Sequence, residues 1–357
     1  MKKHTILKTF SCPTRQQLYN ILLLFAVGIF ISSLVSCKKE VDNKNGNGNG
    51  NGNGTIPDDT SPFWRDDYRQ HHLNGRVKTV KTFNVYDDSV QEDEYNILEY
   101  DANGNLKKKW HVINSEYYGN HHSGITLFHD AQNRLTKVLY GHEENPEVEV
   151  AEFGYDGSHT AYIPTNIFSM EDLRLQKGVS SVKYWIGGVL TLEAKVTSVS
   201  GNRITFEGKA GGYFASMLGK MDKIEIECVG NYPAFIKFME GSKVIADASV
   251  TFGSDGIPTK VVYGAASTSV TTEYTSVAGF LLMTKQIDSS RPGNYEEYKY
   301  NSKGYLETKR TFEEGTPSVE AHYSYEYDEK GNWIKKSVHY GNVSERELSK
   351  IREYTYW

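Results

Sequence analysis

Histidine is the residue type in this chain with most scope for chemistry, and six of the 11 fall between residues 111 and 159. They are His111, His121, His122, His129, His142 and His159. Metal ligation needs three or four donors converging on one point, each held by outer hydrogen bonds. Adjacent side chains on a strand point to opposite faces, so His121 and His122 form no chelate, and neither a metal nor a cofactor is expected. "DANGN" from Asp101 starts like a calcium loop, but Leu106 and Val112 stand where that loop needs Gly and Glu. "GGYFASMLGKM" holds Gly219 and Lys220, yet Phe214 lies five residues before that glycine and Met221 follows the lysine, so the phosphate-loop pattern fails. GxSxG, HExxH and CxxC do not occur. Glu92-Asp93-Glu94 and Glu143-Glu144 fit solvated loop charges, while an acid pair assembled from distant carboxylates stays open. No catalytic residue is assigned, and the chain is expected to be non-enzymatic.

The aromatic load is 25 Tyr, 15 Phe and 5 Trp. Tyrosine has an apolar ring and a polar tip, which suits half-exposed strands, cross-strand pairs and stacking on sugar rings. These tyrosines recur along the chain and do not cluster, which favours strand packing. A ligand groove is expected first around Trp110, Tyr117 and Tyr118, where "WHVINSEYYGNHH" interrupts the pattern.

Strands must position all of these side chains. From about Phe63 to Trp357 apolar and polar residues alternate with period two. Leu190, Leu192, Ala194 and Val196 alternate with Thr191, Glu193, Lys195 and Thr197, and "KIEIEC" repeats the pattern. Cys228 falls in phase with Ile224 and Ile226, as a small buried hydrophobe would. "SMEDLRLQ" (169–176) and "YFASMLGKM" (213–221) have the length of short helices, too short for a βαβ architecture. The expectation is an all-β body of antiparallel hairpins and meanders, elongated or two-lobed, spanning residues 63–357. A sheet with one apolar face must curl, fold over or stack to hide it.

One turn recurs. Tyr100-Asp101-Ala102-Asn103-Gly104 is matched by His129-Asp130-Ala131-Gln132-Asn133, Tyr300-Asn301-Ser302-Lys303-Gly304 and Tyr327-Asp328-Glu329-Lys330-Gly331. Tyr155-Asp156-Gly157 and Phe252-Gly253-Ser254-Asp255-Gly256 are degenerate forms. Asp101, Asp130, Asn301 and Asp328 can accept hydrogen bonds from backbone N–H groups ahead of them. Gly104, Asn133, Gly304 and Gly331 sit where a three-residue hairpin loop needs positive φ. These units resemble the YD (RHS-type) repeats of bacterial secreted and surface proteins, in the divergent form of small lipoproteins. The resemblance covers about 70–160 and 290–357, including "LNGRVKTVKTFNVYD" and "IREYTYW"; residues 160–290 share only the alternation. In large members such repeats wind a β shell, but five or six irregular copies are too few to enclose one.

The N-terminus is basic, and a 15-residue apolar run follows from Ile21 to Val35. That is short of the roughly 20 residues a bilayer crossing needs, and fits a secretory signal over residues 1–36. Leu34-Val35-Ser36-Cys37 resembles the bacterial lipobox, which implies cleavage before Cys37 and acylation of its thiol. Lys38 after the cysteine is similar to outer-membrane sorting signals, and Lys39-Glu40 to surface-export signals. Residues 37–62 contain five consecutive Asn-Gly pairs; as a spacer, about 25 such residues reach roughly 25–30 Å.

Loss of residues 1–36 removes four basic residues and no acidic one, taking the net charge from −5 to −9. That excludes a nucleic-acid surface and a polybasic attraction to lipid. The expected protein is a lipid-anchored outer-membrane lipoprotein, on the periplasmic face or cell surface, acting as a binding or structural module. A glycan or an envelope protein is the expected partner besides the membrane. A glycan-binding accessory to an uptake system, a lipid-carrier-like open barrel and a cryptic hydrolase stand as alternatives.

Overall fold

A chain that alternates apolar and polar residues over nearly 300 positions can bury its apolar face only by turning the sheet against itself. In the computed structural model it does so by closing the sheet into a ring. The described residues are 73–357 apart from 87–88, 116–118, 143–144, 165–174, 212–214, 216–218, 254–257, 266–267, 278–279 and 342–346. The proposed signal, Cys37 and the linker therefore lie outside them, as do Tyr117, Tyr118 and most of both helix candidates.

The first arc holds β1 (Val77–Tyr86), β2 (Ser89–Tyr100), β3 (Leu106–Ser115), β4 (Gly119–His129), β5 (Leu135–His142) and β6 (Asn145–Tyr155). A separate ribbon, β7 (Tyr162–Pro164) with β8 (Leu175–Lys177), follows. The central arc is β9 (Val179–Ile186), β10 (Val189–Ser200), β11 (Arg203–Ala210), β12 (Lys223–Val229), β13 (Tyr232–Glu240), β14 (Lys243–Phe252) and β15 (Pro258–Ala265). The last is β16 (Thr268–Val277), β17 (Phe280–Asp288), β18 (Tyr295–Tyr300), β19 (Leu306–Glu313), β20 (Thr316–Tyr327), β21 (Trp333–Tyr340) and β22 (Glu347–Tyr356). Every ring strand pairs antiparallel with its sequence neighbour, β6 skips the ribbon to reach β9, and β22 returns to β1. The result is one closed 20-stranded sheet, with residues 160–290 supplying strands to the same ring as the repeats.

The inward face is packed. Val80, Leu98, Leu127, Val138, Phe153, Leu192, Phe206, Ile226, Ile236 and Tyr263 belong to one buried cluster. A water-filled lumen would leave such side chains wet, so the inward face of the first and central arcs is closed to water. Each fully buried aliphatic side chain contributes about 1.5–3 kcal/mol relative to exposure. Ile236 at 0% exposure is among the best placed. Cys228 joins this cluster, as its phase predicts, and burial with Glu227 nearby pushes its thiol up to about 11.

The outward face is polar and its charges are in register. Lys137, Glu152, Lys183, Glu193 and Lys209 lie side by side across β5, β6, β9, β10 and β11. Lys260, Glu273, Lys285, Glu297, Arg310 and Glu320 do the same from β15 to β20. Opposite charges directly across a strand pair add about 0.2–1 kcal/mol each.

Candidate functional site

All four full turns lie at one end of the ring, because each joins an even-numbered strand to the next odd one. Their geometry is shared. The Oδ1 atoms of Asp101, Asp130, Asn301 and Asp328 accept from the backbone N–H groups two and four residues ahead at 2.8–3.1 Å. Gly104, Asn133, Gly304 and Gly331 have φ of 88°, 59°, 83° and 86°. The register then slips at the preceding Tyr100, His129, Tyr300 and Tyr327, which is the bulge of a three-residue loop. Asp156 keeps its bond to the N–H of Ser158, and Gly157 its positive φ, but the chain leaves there for the β7–β8 ribbon. The turn centred on Asp255 lies outside the described residues.

These turns form a hydrogen-bonded belt. Tyr155, Tyr325 and Tyr354 donate their hydroxyls to the carbonyls of Leu135, Leu306 and Trp333, each five residues past a turn Asp or Asn. Burial raises the pKa of all three phenols, so they remain donors. Lys303 sits 3.5 Å from the ring centroid of Tyr327, and Lys330 3.2 Å from that of Tyr356. Tyr356 donates to Asp328 Oδ2 at 2.6 Å. Burial would raise Asp328, but hydrogen bonds from Tyr356, Asn332 and Lys330 outweigh it and hold its carboxyl below the usual range. The buried Asn332 donates to the carbonyl of Asn74 and accepts from its N–H, joining the last of these turns to the segment that leads into β1. The repeat residues thus build the fold, their turn Asp and Asn side chains being engaged in its hydrogen bonds.

Trp110 is half-buried, and Tyr117 and Tyr118, the other two residues of the expected groove, lie outside the described residues. The Trp110 indole packs over glycine: a Cβ at Gly141 would lie 3.3 Å from its ring, and Gly124 is its register partner. Its Nε1 is buried without a hydrogen-bond partner. The histidines scatter. His121 and His142 approach with ring centroids 5.7 Å apart, His111 lies 3.5 Å from Glu94, and His159 meets the Val179 carbonyl. Among the described residues no three His, Cys, Asp or Glu side chains are grouped to hold a metal ion.

A concavity of about 690 Å³ lies elsewhere, on the wall from β16 to β20. Glu273, Lys285, Glu297, Arg310, Glu320 and His322 line it, with Lys299, Glu307 and Tyr298. Six of its charges pair: Lys285–Glu297 at 3.2 Å, Lys299–Glu307 at 3.7 Å and Arg310–Glu320 at 2.9 Å, with His322 Nε2 3.2 Å from Glu320. The Arg310 hydrogen bond holds the Glu320 carboxyl below its ordinary pKa. Tyr295 stacks on Phe312 beyond one end of the groove, and His322 on His339 at the other, with centroids 4.4 and 4.8 Å apart. Such a surface offers fixed donors and acceptors between flat rings. A general acid would instead need a carboxyl with a raised pKa. The groove was not visible in sequence, because its residues come from five strands whose register only the hairpins set. The one local trace was charge on alternate positions of "YEEYKY" and "ETKRTFEE".

No protein-family model and no curated protein matches the chain. Among solved structures, a porin-like protein from Bacteroides vulgatus is similar over 78% of this chain and 99% of its own, at 10% identity and a TM-score of 0.27. Another from Bacteroides uniformis gives 79% and 98%, at 8% identity and 0.24. The Photorhabdus luminescens Tc holotoxin pore is similar over 72% of this chain but 19% of its own, at 9% identity and 0.16. Likenesses this distant say nothing about what the chain does.

Proposed function

We propose that the chain is an outer-membrane lipoprotein, held by an acyl group on Cys37, whose β body stays in water as a non-enzymatic binding and structural module. The observation that carries this reading is the charge on the outward wall. A bilayer-spanning barrel presents an apolar band about 25 Å tall, and a Lys or Arg at its midplane costs about 2–4 kcal/mol. Here Lys183, Glu193, Lys285 and Glu297 occupy mid-wall outward positions. Membrane attachment then falls to the lipobox-like Leu34-Val35-Ser36-Cys37, since more than one acyl chain anchors stably. The packed interior supports a rigid module over a lipid carrier, and the paired carboxylates of the groove support binding over hydrolysis.

The test uses the full chain with a specific protease site placed within residues 45–54. Clickable palmitate should label the wild type and fail to label Cys37→Ala. Protease followed by an alkaline carbonate wash, which strips surface-bound proteins, should then free the body into the aqueous phase without detergent. A body that stays in the bilayer after the cut and the wash, or label that survives Cys37→Ala, would overturn the reading.

A second reading, binding of a neutral glycan, is favoured by the groove itself. Sugar hydroxyls both donate and accept, which matches its interleaved acidic and basic groups, and ring faces stack on planar side chains. If it holds, one member of a polysaccharide panel raises the melting temperature, and Tyr295→Ala removes that rise. Unchanged melting across the panel counts against it.

A further inference from the structure

The two ends of the ring differ in what they expose. Of the 14 large hydrophobic side chains exposed among the described residues, ten lie at the end away from the turn belt. The densest part is the join of β5, β6, β9 and β10, where Tyr140, Val148, Ile186, Val189 and Leu190 are 40–57% exposed. Tyr140 pairs with Val148, and Ile186 with Val189. Gly187 and Gly188 make the tip between them, and a Cβ on either would meet nothing within 4 Å, so both face open solvent. Natural soluble surfaces scatter such residues singly, and a collar of them marks a docking face.

We propose that this rim rests on a lipid bilayer surface, with the Ile186–Leu190 tip dipped into its apolar boundary and the charged wall left in water. The inference rests on the anchoring reading, which puts a bilayer within constant reach. The Asn/Gly spacer expected from the sequence reaches roughly 25–30 Å, and strands of 8–12 residues make a body about 26–40 Å tall before tilt. The tether therefore permits contact by the far rim, although the described chain begins at the other one. The exposed residues come from hairpins all round the end, as a planar partner requires. Lys183 and Glu193 lie three residues from Ile186 and Leu190, which limits entry to about 10 Å, the depth of an interfacial element. Glu92, Asp93, Glu313 and Glu314 share the rim. Their charge would repel a second copy placed rim to rim, and it makes a zwitterionic bilayer the better surface than an anionic one.

The experiment uses full-length acylated protein in phosphatidylcholine vesicles containing brominated lipid. An environment-sensitive fluorophore is attached through Val189→Cys or, at the turn rim, Val199→Cys; Cys37 is acylated and Cys228 is buried. Quenching should be several-fold stronger at 189 than at 199. Adding Ile186→Asp should abolish that difference while palmitate labelling persists, and anionic lipid should weaken it. Equal quenching at both positions, or stronger quenching at 199, overturns the proposal. Shielding at 189 that needs no vesicles and grows with protein concentration assigns the rim to a second copy, and shielding that needs an added envelope extract assigns it to a protein. If Cys37 carries no label, the anchoring reading fails by itself, and quenching at 189 with vesicles still decides the rim.

Discussion

From β9 to β15 the inward positions are filled by Val182, Leu192, Phe206, Ile224, Ile236, Ala248 and Val261, and closure there rests on aliphatic packing. From β18 to β22 tyrosine takes over the inward register: Tyr298, Tyr300, Tyr323, Tyr325 and Tyr354. Glu296 and Lys309 form an ion pair at 2.6 Å with a third of each side chain still exposed. The tyrosine arc has fewer fully buried groups, and it compensates with directed bonds. Tyr300 reaches the Met283 carbonyl, Tyr325 that of Leu306, and Tyr354 that of Trp333. The same antiparallel ring is thus held by area in one arc and by hydrogen bonds in the other. The repeat motif belongs to the second chemistry.

That contrast can be broken most strongly at Ile236. Ile236→Ala should destabilise by about 2–5 kcal/mol, through lost transfer energy and an unfilled cavity, measured by urea unfolding. A loss no larger than that of an exposed valine would deny the central arc its role. Next comes the last turn. Asp328→Ala removes the acceptor for two backbone N–H groups and for Tyr356, and should cost about 1–3 kcal/mol. Asp328→Asn, which reproduces the natural Asn301 turn, should cost clearly less.

Tyr325→Phe follows, at about 0.5–1.5 kcal/mol for one hydroxyl-to-carbonyl bond with the ring retained. No loss at all would mean that the clip is incidental. Acid sharpens the same point. Asp130 and Asp328 titrate below the usual carboxylate range in the fold. Their contribution is therefore complete above the unfolded carboxylate pKa and is lost as pH falls through the lower folded value. Acid unfolding of the Asp328→Asn variant should show a shallower limb below about pH 4 than the wild type. The smallest effect belongs to the outer wall: Arg310→Met should leave the unfolding midpoint within error, because exposed ion pairs contribute little.

The turns were legible residue by residue. Asp, then Gly or Asn three positions on, demands an Asx acceptor and a positive φ whatever surrounds it, so Asp101, Gly104, Asp130 and Asn133 could be placed from spacing alone. Cys228 was placed by its phase with two isoleucines. The packing of Trp110 was not: its indole lies against Gly141 on β5, two strands away, a contact that the order of hairpins alone does not give. Nor was the groove, for the same reason.

Local chemistry therefore settled the strands, their corners and the sign of each face, because alternation and turn residues act over a few positions. Closure of the ring, the meeting of β22 with β1, the charge ladders and the apolar rim depend on register summed over 20 strands. A one-residue slip anywhere would turn a strand's apolar side outward. Only the folded sheet fixes that register.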